Sequence, residues 1–435
     1  MSNKSIDLVT LGCSKNLVDS ERVIKQLECV GYKTFHNPTK IKSKIVIINT
    51  CGFIGDAKEE SINTILQYVN AKAEQKISHI FVMGCLSERY RDEISKEIPE
   101  VDKWYGKFDW DNLVFDLSKI TPSTKSYERK ITTPSHYTYI KIAEGCNRFC
   151  SFCAIPIITG KYKSRPIDEI LEEVKLLVSK GVKEFNVIAQ DLSFYGMDIY
   201  GKLMLPNLID QMAQIPGVKW IRLHYAYPTQ FPFEILDIIK KHSNVCKYID
   251  IALQHINDTV LSNMRRNINS IATKELINKI RQQIPGIHIR TTLMVGFPGE
   301  SNEAFEELVE FVKESKFERM GAFAYCEEED TYGAKHFPDD IPTEVKENRL
   351  SKLMAIQEEI ALNSNSQKIG LTFKTIIDKE EEDYYIGRTE WDSPEVDPEV
   401  LIVKKTKLKI GEFYNVRIID ALPFDLIGEP ITENE

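Results

Sequence analysis

The chain has 435 residues, of which 42% are apolar, and a formal net charge of −9. At roughly 100 to 200 residues per domain, this length predicts two to four domains, and the composition excludes intrinsically disordered and fibrous proteins. Apolar runs such as residues 45–48 are far shorter than the roughly 18 residues of a membrane helix, and the first residues lack the apolar core of a secretory signal. We therefore expect a cytoplasmic protein without a membrane span, whose thiols stay reduced.

Residues 1–119 alternate short β-branched runs with helical stretches. The run IDLVTLGC precedes NLVDSERVIKQLECVG, KIVIINTC precedes DAKEESINTILQYVNA, and HIFVMGCL precedes SERYRDEISKEI. Strands that alternate with helices at this spacing predict a doubly wound parallel sheet. Residues 120–135 are polar, contain two prolines and predict a linker.

Residues 136–366 predict a second α/β domain. The strand candidates are YTYIKIAEGC, EFNVIAQD, WIRLHYAYP, YIDIALQH, HIRTTLMVGF and RMGAFAYC, and helix candidates such as PIDEILEEVKLLVSKG lie between them. Six such units predict a partial β/α barrel whose functional groups lie at the C-terminal ends of its strands. A long helical stretch over residues 343–364 closes the domain.

Residues 367–435 contain short apolar alternations separated by turn residues and no convincing helix. These alternations are TFKTIID, VLIVKKTKLKI and FYNVRIID. We predict a small C-terminal β-barrel for this segment.

Three cysteines lie within eight residues in the segment CNRFCSFC, namely Cys146, Cys150 and Cys153. Three thiolates on one tight loop suit three corners of a cubane iron–sulfur cluster, whereas a fully ligated cluster takes four. The remaining iron is then free to bind a substrate, which favours a catalytic cluster over an electron carrier. The alternative is a structural zinc site, but zinc prefers four ligands, and no neighbouring His or Cys supplies the fourth.

A second set of cysteines is spread along the first domain. Cys13, Cys51 and Cys85 each follow the C-terminal end of one of the first three predicted strands, and a glycine adjoins each of them. Because strand ends of a parallel sheet meet at one edge, these thiols can converge on a ligand there, and the glycines would let the backbone approach a bulky cluster closely. The alternative is three separate buried cysteines.

The other three cysteines predict no ligand. We expect Cys29, in the first helix, to be part of the core, and Cys246, before the fourth barrel strand, to be structural. Cys326 ends the sixth barrel strand on the active side, so a sulfur-carrying role stays open as the minor alternative.

The C-x3-C-x2-C loop after the first strand of a six-unit β/α domain resembles the radical S-adenosylmethionine superfamily. With the second cysteine set and the C-terminal barrel, the whole chain resembles the methylthiotransferases of that superfamily. The resemblance implies an N-terminal auxiliary-cluster domain (1–119), a radical domain (136–366) and a TRAM domain (367–435). It also implies two 4Fe–4S clusters with three Cys ligands each, S-adenosylmethionine as cofactor, and an electron donor such as flavodoxin or ferredoxin.

Four segments resemble one branch of that family, which methylthiolates the β-carbon of an aspartate in small-subunit ribosomal protein uS12, free or within the subunit. They are LGCSKNLVDSE, KSRPIDEI, RLHYAYP and WDSPEVD. Charge points the same way, because residues 367–435 carry nine Lys and Arg against 16 Asp and Glu. An RNA-binding domain should instead be basic, and an acidic one steers a basic protein.

Two other functions remain as alternatives. The first is the same chemistry on a tRNA adenosine, which the basic run KKTKLK at residues 404–409 keeps open. The second is a two-cluster electron-transfer or redox-sensing protein without catalysis, which would leave the barrel without a purpose.

Four side chains are candidates for contacts to the cofactor. Phe152 lies within the cluster loop, and Gln190 and Asp191 end the second barrel strand, where the resemblance implies contact with the cofactor's amino group. Arg290 begins the fifth strand and is a candidate for its carboxylate. The alternative for each of the four is a structural role in the barrel.

Overall fold

The computed structural model describes residues 4–431. It contains three main sheets that follow one another along the chain. Within the described residues, no helix combines the length and the apolar character needed to cross a membrane.

The first sheet is parallel and has five strands with helices on both faces. Its strands are β1 (Ser5–Thr10), β2 (Lys33–His36), β3 (Ile45–Thr50), β4 (His79–Gly84) and β5 (Lys103–Trp104), and its helices are α1 (Ser14–Cys29), α2 (Gly55–Ala73), α3 (Cys85–Glu97) and α4 (Trp110–Ser118). The strand order is β2-β1-β3-β4-β5. Ile47 of β3 packs with α1 and α4 on one face, and Ile48 packs with α2 and α3 on the other. The doubly wound prediction is confirmed, and the short edge strands β2 and β5 are additions to it.

The second sheet has six parallel strands and stays open. The strands of this region are β6 (Tyr137–Lys141), β7 (Ala143–Glu144), β8 (Lys163–Ser164), β9 (Glu184–Ile188), β10 (Trp220–Ala226), β11 (Val245–Gln254), β12 (His288–Val295) and β13 (Arg319–Ala324). The order in the sheet is β13-β12-β11-β10-β9-β6, while β7 and β8 form a separate antiparallel pair. This open arrangement confirms the predicted partial barrel.

The helices of this region alternate with its strands, and the longer ones pack on the second sheet. They are α5 (Ile155–Thr159), α6 (Ile167–Ser179), α7 (Met197–Tyr200), α8 (Leu205–Ala213), α9 (Glu234–Lys241), α10 (Asp258–Asn263), α11 (Ser270–Gln283), α12 (Asn302–Ser315), α13 (Tyr332–His336) and α14 (Thr343–Ser366), with a 3-10 turn at Leu192–Phe194. The apolar stripes of the longer helices pack on alternate strand residues, for example Leu308 of α12 with Leu293 of β12. Burial of these stripes stabilises the sheet, since most helical stability in proteins comes from such packing.

The third sheet is a closed five-stranded barrel. Its strands are β14 (Thr372–Glu380), β15 (Tyr384–Arg388), β16 (Val400–Val403), β17 (Phe413–Ala421) and β18 (Leu426–Pro430), in the order β14-β15-β16-β18-β17. Side chains such as Ile377, Ile402 and Val416 fill its interior. The small-barrel prediction is confirmed, whereas the domain boundaries after residues 119, 135 and 366 stay predictions.

Buried ion pairs join the three sheets. Glu184, at the start of β9, accepts a hydrogen bond from Arg388 Nη2 of the third sheet at 2.7 Å, and both side chains are almost fully buried. Arg129, which lies in the segment between the first and second sheets, pairs with Glu173 of α6 at 2.7 Å and with Glu21 of α1. Removing one partner of such a pair leaves an uncompensated charge inside the protein, so these pairs hold the sheets in a defined arrangement.

Candidate cluster and cofactor site

One cavity lies between the C-terminal edges of the first and second sheets, and all six cysteines of the two predicted sets border it. They are Cys13, Cys51, Cys85, Cys146, Cys150 and Cys153. The cavity measures about 340 Å³, which is within the range of roughly 300 to 1,000 Å³ typical of cofactor sites. The structure therefore brings together two sets whose nearest members, Cys85 and Cys146, are 61 residues apart, although their role as iron ligands stays a prediction.

The glycines beside the first cysteine set are needed for close approach of protein segments to each other. Gly12 has φ +84°, and a Cβ there would lie 2.6 Å from the Cβ of Cys51. Gly84 has φ +103° and is crowded by Asn49, while Gly52 lies against the first turn of α3. Packing of the strand ends against one another is thus one reason for these glycines, and approach to a bulky cluster stays a prediction.

Two ammonium groups set the electrostatics of the first cysteine set. Desolvation opposes ionisation of the Cys13 thiol, but Lys15 and Lys107, together with the backbone N–H groups of Asn16 and Lys15, outweigh it and hold the pKa of Cys13 below its usual value. Desolvation raises the pKa of Cys51, and it raises that of Cys85 to about 12. Because the thiolate is the metal ligand, Cys13 is the member of this set that the protein itself favours in the ligating form, and the others require a bound cation.

The second cysteine set lies on the loop between β7 and α5. Arg266 Nη1 donates to Cys150 Sγ at 3.2 Å, and the Tyr227 hydroxyl lies 3.6 Å from the same sulfur. Desolvation raises the pKa of Cys146 to about 11 and that of Cys153 further. These thiols likewise need a cationic group to ionise them, which an iron cluster supplies.

The donor set fits a cluster with three protein ligands better than a zinc ion. Cys29, Cys246 and Cys326 do not border the cavity among the described residues. No group of three or more His, Cys, Asp or Glu in residues 4–431 is arranged to hold a single metal ion. The thiols thus border a space of cofactor size, and they are not grouped around the position of a single metal ion.

Three of the four predicted cofactor contacts lie at or behind this cavity. Phe152 and Gln190 border it, and the Phe152 ring also packs edge-on against Phe297 at 6.5 Å between centroids. Asp191 is buried behind the wall and accepts a hydrogen bond from Nε of Arg148, which does border the cavity, at 2.6 Å. The apolar packing and the cavity contact of Phe152 coexist, so the two interpretations of this residue do not exclude each other.

Arg290 lies elsewhere. It is the third residue of β12, at the opposite end of the strand from the cavity, and borders a different space between the second and third sheets. Its guanidinium pairs with Asp397 at 3.1 Å and with Asp250 at 3.7 Å. The prediction for Arg290 overlooked the direction of the strand, because barrel sites form at the C-terminal ends of strands. The structure gives this residue a place in domain packing.

Several residues that border the cavity were not predicted. They are Lys15, Lys107, Arg148, Tyr225, Tyr227, Gln254 and Arg266. Lys15 and Arg148 lie inside the cysteine motifs GCSKN and CNRFC, and the two tyrosines lie inside RLHYAYP, so their positions beside predicted site residues were an available signal. Lys107 and Arg266 lie in no such motif, and only the tertiary structure brings them to the thiols.

The remaining cysteines differ in exposure. Cys29 is exposed at the end of α1, so its prediction as a core residue was wrong, because the last turn of α1 turns this position to solvent. Cys246 is buried, as expected of a structural residue. Cys326 is exposed. Its sulfur lies close to Gly55, beside the first sheet, since a Cβ added to that glycine would be 3.7 Å from the sulfur.

Three family models match the chain. The model described as the Radical SAM superfamily covers residues 140–312, the one described as uncharacterized protein family UPF0004 covers residues 5–106, and the TRAM domain model covers residues 369–431. A radical S-adenosylmethionine domain implies a 4Fe–4S cluster and S-adenosylmethionine.

Curated relatives match over nearly their whole length. The chain is 60% identical to the ribosomal protein uS12 methylthiotransferase RimO of Phocaeicola vulgatus, over 98% of this chain and 99% of the relative. It is 56% identical to the protein of the same name from Parabacteroides distasonis, over 99% of each. The one from Flavobacterium johnsoniae is 48% identical, again over 99% of each.

Solved structures support the fold. The radical S-adenosylmethionine methyltransferase TsrM of Kitasatospora setae, solved with cobalamin and a [4Fe-4S] cluster bound, has a TM-score of 0.55 at 13% identity, covering 74% of this chain and 72% of that one. The cobalamin-dependent enzyme OxsB has a TM-score of 0.52 at 11% identity, covering 82% of this chain and 56% of that one. Together with the curated relatives, which confirm the predicted branch, these matches identify the chain as a member of the ribosomal protein uS12 methylthiotransferase family within the radical S-adenosylmethionine superfamily.

Proposed function

We propose that the chain replaces a C–H bond on the β-carbon of an aspartate in uS12 by C–S–CH3. The observation that carries this proposal is that two sets of three thiols, from two different sheets, border one cavity. A group transfer that needs both a radical source and a sulfur source requires two such centres within reach of one substrate. The relatives named for this activity, at 48 to 60% identity over nearly the whole chain, support the same reaction.

Each set of thiols has its own part in this proposal. The loop with Cys146, Cys150 and Cys153 would hold the cluster that binds S-adenosylmethionine, and the strand-end set would hold a second cluster with the sulfur to be transferred. One S-adenosylmethionine would give its methyl group to that sulfur, and a second, bound at the first cluster, would supply the carbon radical that removes a hydrogen atom from the substrate. Arg266 donates to Cys150, which lowers the negative charge on that thiolate and favours the reduced cluster.

The side chains around the thiols exclude water and hold the cavity in shape. Phe152 packs against Phe297 at one wall. Arg148 is clamped by Asp191 at 2.6 Å and by Gln230 at 3.2 Å, and its guanidinium covers the Tyr227 ring at 4.4 Å. A closed, preorganised wall of this kind protects a reactive radical from solvent.

An acidic turn of the third sheet is the proposed docking point for uS12. Residues 380–383, from the last residue of β14 to the residue before β15, are three glutamates and an aspartate, and all four are exposed. The acidic charge of this sheet is smaller at the surface than in the sequence, because Asp378, Asp392 and Asp397 form ion pairs with arginines, of which Arg388 and Arg319 are buried and Arg290 is partly exposed. In the turn itself Glu381 pairs with Lys379 at 2.8 Å and Glu380 pairs with Lys404 at 3.0 Å. The negative charge that remains attracts a basic ribosomal protein, mainly by raising the association rate.

The reaction needs electrons from outside the chain. We propose a small electron carrier such as flavodoxin or ferredoxin as the donor, as the resemblance implies. Addition of either carrier with its reductase should support turnover in place of a chemical reductant.

Triple replacement of each thiol set tests the proposal. Cys146, Cys150 and Cys153 changed together to Ala should abolish formation of 5′-deoxyadenosine from S-adenosylmethionine. The corresponding change of the strand-end set should spare it and stop the mass gain of uS12. Either change should lower the iron content after anaerobic reconstitution from about eight to about four atoms per chain.

Controls and contrary results follow from the same assay. Cys29→Ala, at an exposed position away from the cavity, should leave iron and activity unchanged. If the variant of Cys13, Cys51 and Cys85 also loses 5′-deoxyadenosine formation, this set is needed for radical formation as well, contrary to the proposal. If tRNA gains a methylthio group and uS12 does not, the substrate assignment is wrong.

A further inference from the structure

Four cationic side chains border the cavity, and three of them have partners within the protein. Lys107 pairs with Asp19 at 3.1 Å, Arg148 pairs with Asp191 at 2.6 Å, and Arg266 donates to Cys150 Sγ at 3.2 Å. The fourth is Lys15. Within residues 4–431 its ammonium group forms no hydrogen bond and no ion pair with a carboxylate, although its side chain is only 6% exposed.

The contact that holds the ammonium group of Lys15 comes from the other sheet. Lys15 lies in the first turn of α1, and its Nζ sits 3.5 Å from the ring centroid of Tyr225, near the end of β10. Tyr225 has φ +65°, and its backbone N–H donates to Asp250 Oδ2 at 3.2 Å. A bulky residue keeps such a backbone conformation only where its surroundings over-determine it, often at ligand sites. The pair is therefore a built feature at the junction of the two sheets.

An ammonium group on a largely buried side chain is unfavourable unless other groups replace its lost hydration. The aromatic face of Tyr225 compensates for only part of the lost hydration. The Lys15 ammonium group stabilises the Cys13 thiolate, but no Asp or Glu is among the described residues that border the cavity, so a carboxylate partner has to come from a ligand. The site is thus prepared for a carboxylate that enters the cavity from outside.

We propose that Lys15 binds the side-chain carboxylate of the substrate aspartate and makes the enzyme specific for Asp over Asn. This inference rests on the proposed function. The reacting β-carbon of aspartate is bonded directly to the carboxylate carbon, so an ion pair at Lys15 fixes that carbon within the cavity between the two thiol sets. Such orientation is a large part of catalysis for a bound substrate. Tyr225 acts as the positioning residue that holds the ammonium group toward the cavity.

The carboxylate of S-adenosylmethionine is the competing anion. Lys15 is two residues from Cys13, on the side of the first sheet, whereas the loop assigned to the cofactor has its own cations in Arg148 and Arg266. This distribution favours the substrate for Lys15 and the cofactor for the second sheet. If Lys15 binds the substrate, its replacement weakens the binding of uS12, whereas if Lys15 binds the cofactor, its replacement weakens the binding of S-adenosylmethionine.

The test measures binding of uS12 to the anaerobically reconstituted full chain, with S-adenosylmethionine present and reductant absent so that no turnover occurs. Two forms of uS12 are compared, with Asp and with Asn at the modified position, against the unchanged chain and Lys15→Met. The unchanged chain should bind the Asp form about 30-fold more tightly than the Asn form. Lys15→Met should bind both forms equally, and Lys15→Arg should retain part of the preference because it keeps the charge.

One control variant and two control measurements accompany this comparison. Lys40→Met, at an exposed position in the loop between β2 and β3, should keep the full preference for Asp. Iron content and affinity for S-adenosylmethionine alone should be the same in Lys15→Met and the unchanged chain. The inference is overturned if Lys15→Met still prefers Asp, if it loses iron, or if it binds the cofactor more weakly. If the unchanged chain does not methylthiolate uS12 at all, the proposed function itself fails, which is a separate result.

Discussion

Replacement of Gly12 by Ala should remove the strand-end cluster while leaving the rest of the protein folded. At φ +84°, a Cβ at this position would lie 2.6 Å from the Cβ and 2.8 Å from the Sγ of Cys51. Ordinary contact begins at 3.4 Å, so the two carbon atoms must separate by about 0.8 Å, comparable to overpacking that costs about 1 to 3 kcal/mol. The left-handed backbone adds about 1 to 2 kcal/mol. Because the Cys51 side chain is what moves, we expect its thiol to leave the position it shares with Cys13 and Cys85.

The assay is iron content and methylthiolation after anaerobic reconstitution, with Gly31→Ala as the matched control. Gly31 also has a positive φ, +92°, but a Cβ there meets nothing within 4 Å, so this variant carries only the backbone cost. Gly12→Ala should retain about four of about eight iron atoms, form 5′-deoxyadenosine and fail to modify uS12, while Gly31→Ala keeps all three properties. Equal iron content and equal activity in the two variants would refute the packing argument.

Two further predictions concern stability. Glu184→Gln removes the buried carboxylate that pairs with Arg388 and should lower the free energy of unfolding by about 3 kcal/mol, as measured in urea titrations followed by tryptophan fluorescence. The exposed-pair variant Glu310→Gln should change this free energy by less than about 0.5 kcal/mol. Similar effects in both variants would contradict the role of the buried pair. Burial raises the pKa of Glu300 to about 7 although Arg349 opposes the shift, so the folded state holds this proton more tightly, and stability should fall as pH rises from about 4.5 to 7. Glu300→Gln should flatten that part of the pH profile of unfolding, and an unchanged profile would show that Glu300 does not titrate in this window.

The segment WDSPEVD illustrates how the third sheet is linked to the cavity. Ser393 Oγ lies 3.2 Å from His224 Nε2, and His224 precedes Tyr225, the residue under the Lys15 ammonium group. Asp397, which lies in the same loop as Ser393, pairs with Arg290 of β12. The loop therefore contacts the barrel directly behind the proposed substrate-binding pair, so the third sheet supports the geometry of the cavity in addition to presenting its acidic turn.

The fold class and both cysteine sets could be predicted from local patterns. The alternation of strands and helices is a property of side-chain periodicity, and a cysteine that follows a strand end must lie at the C-terminal edge of a parallel sheet. For that reason Cys13, Cys51 and Cys85 could be assigned to one edge without knowledge of the contacts between them. The loop with Cys146, Cys150 and Cys153 needed only its own spacing.

Contacts between the sheets were decided by the tertiary structure alone. The sequence by itself determined which segments become strands and which thiols share an edge, because these depend on neighbours along the chain. It could not determine that Lys15 meets Tyr225, 210 residues later, or that Arg290 faces the third sheet, because those contacts depend on how separately folded sheets are docked. The docking is set by buried charge pairs such as Glu184 with Arg388, whose energies exist only once the sheets are side by side.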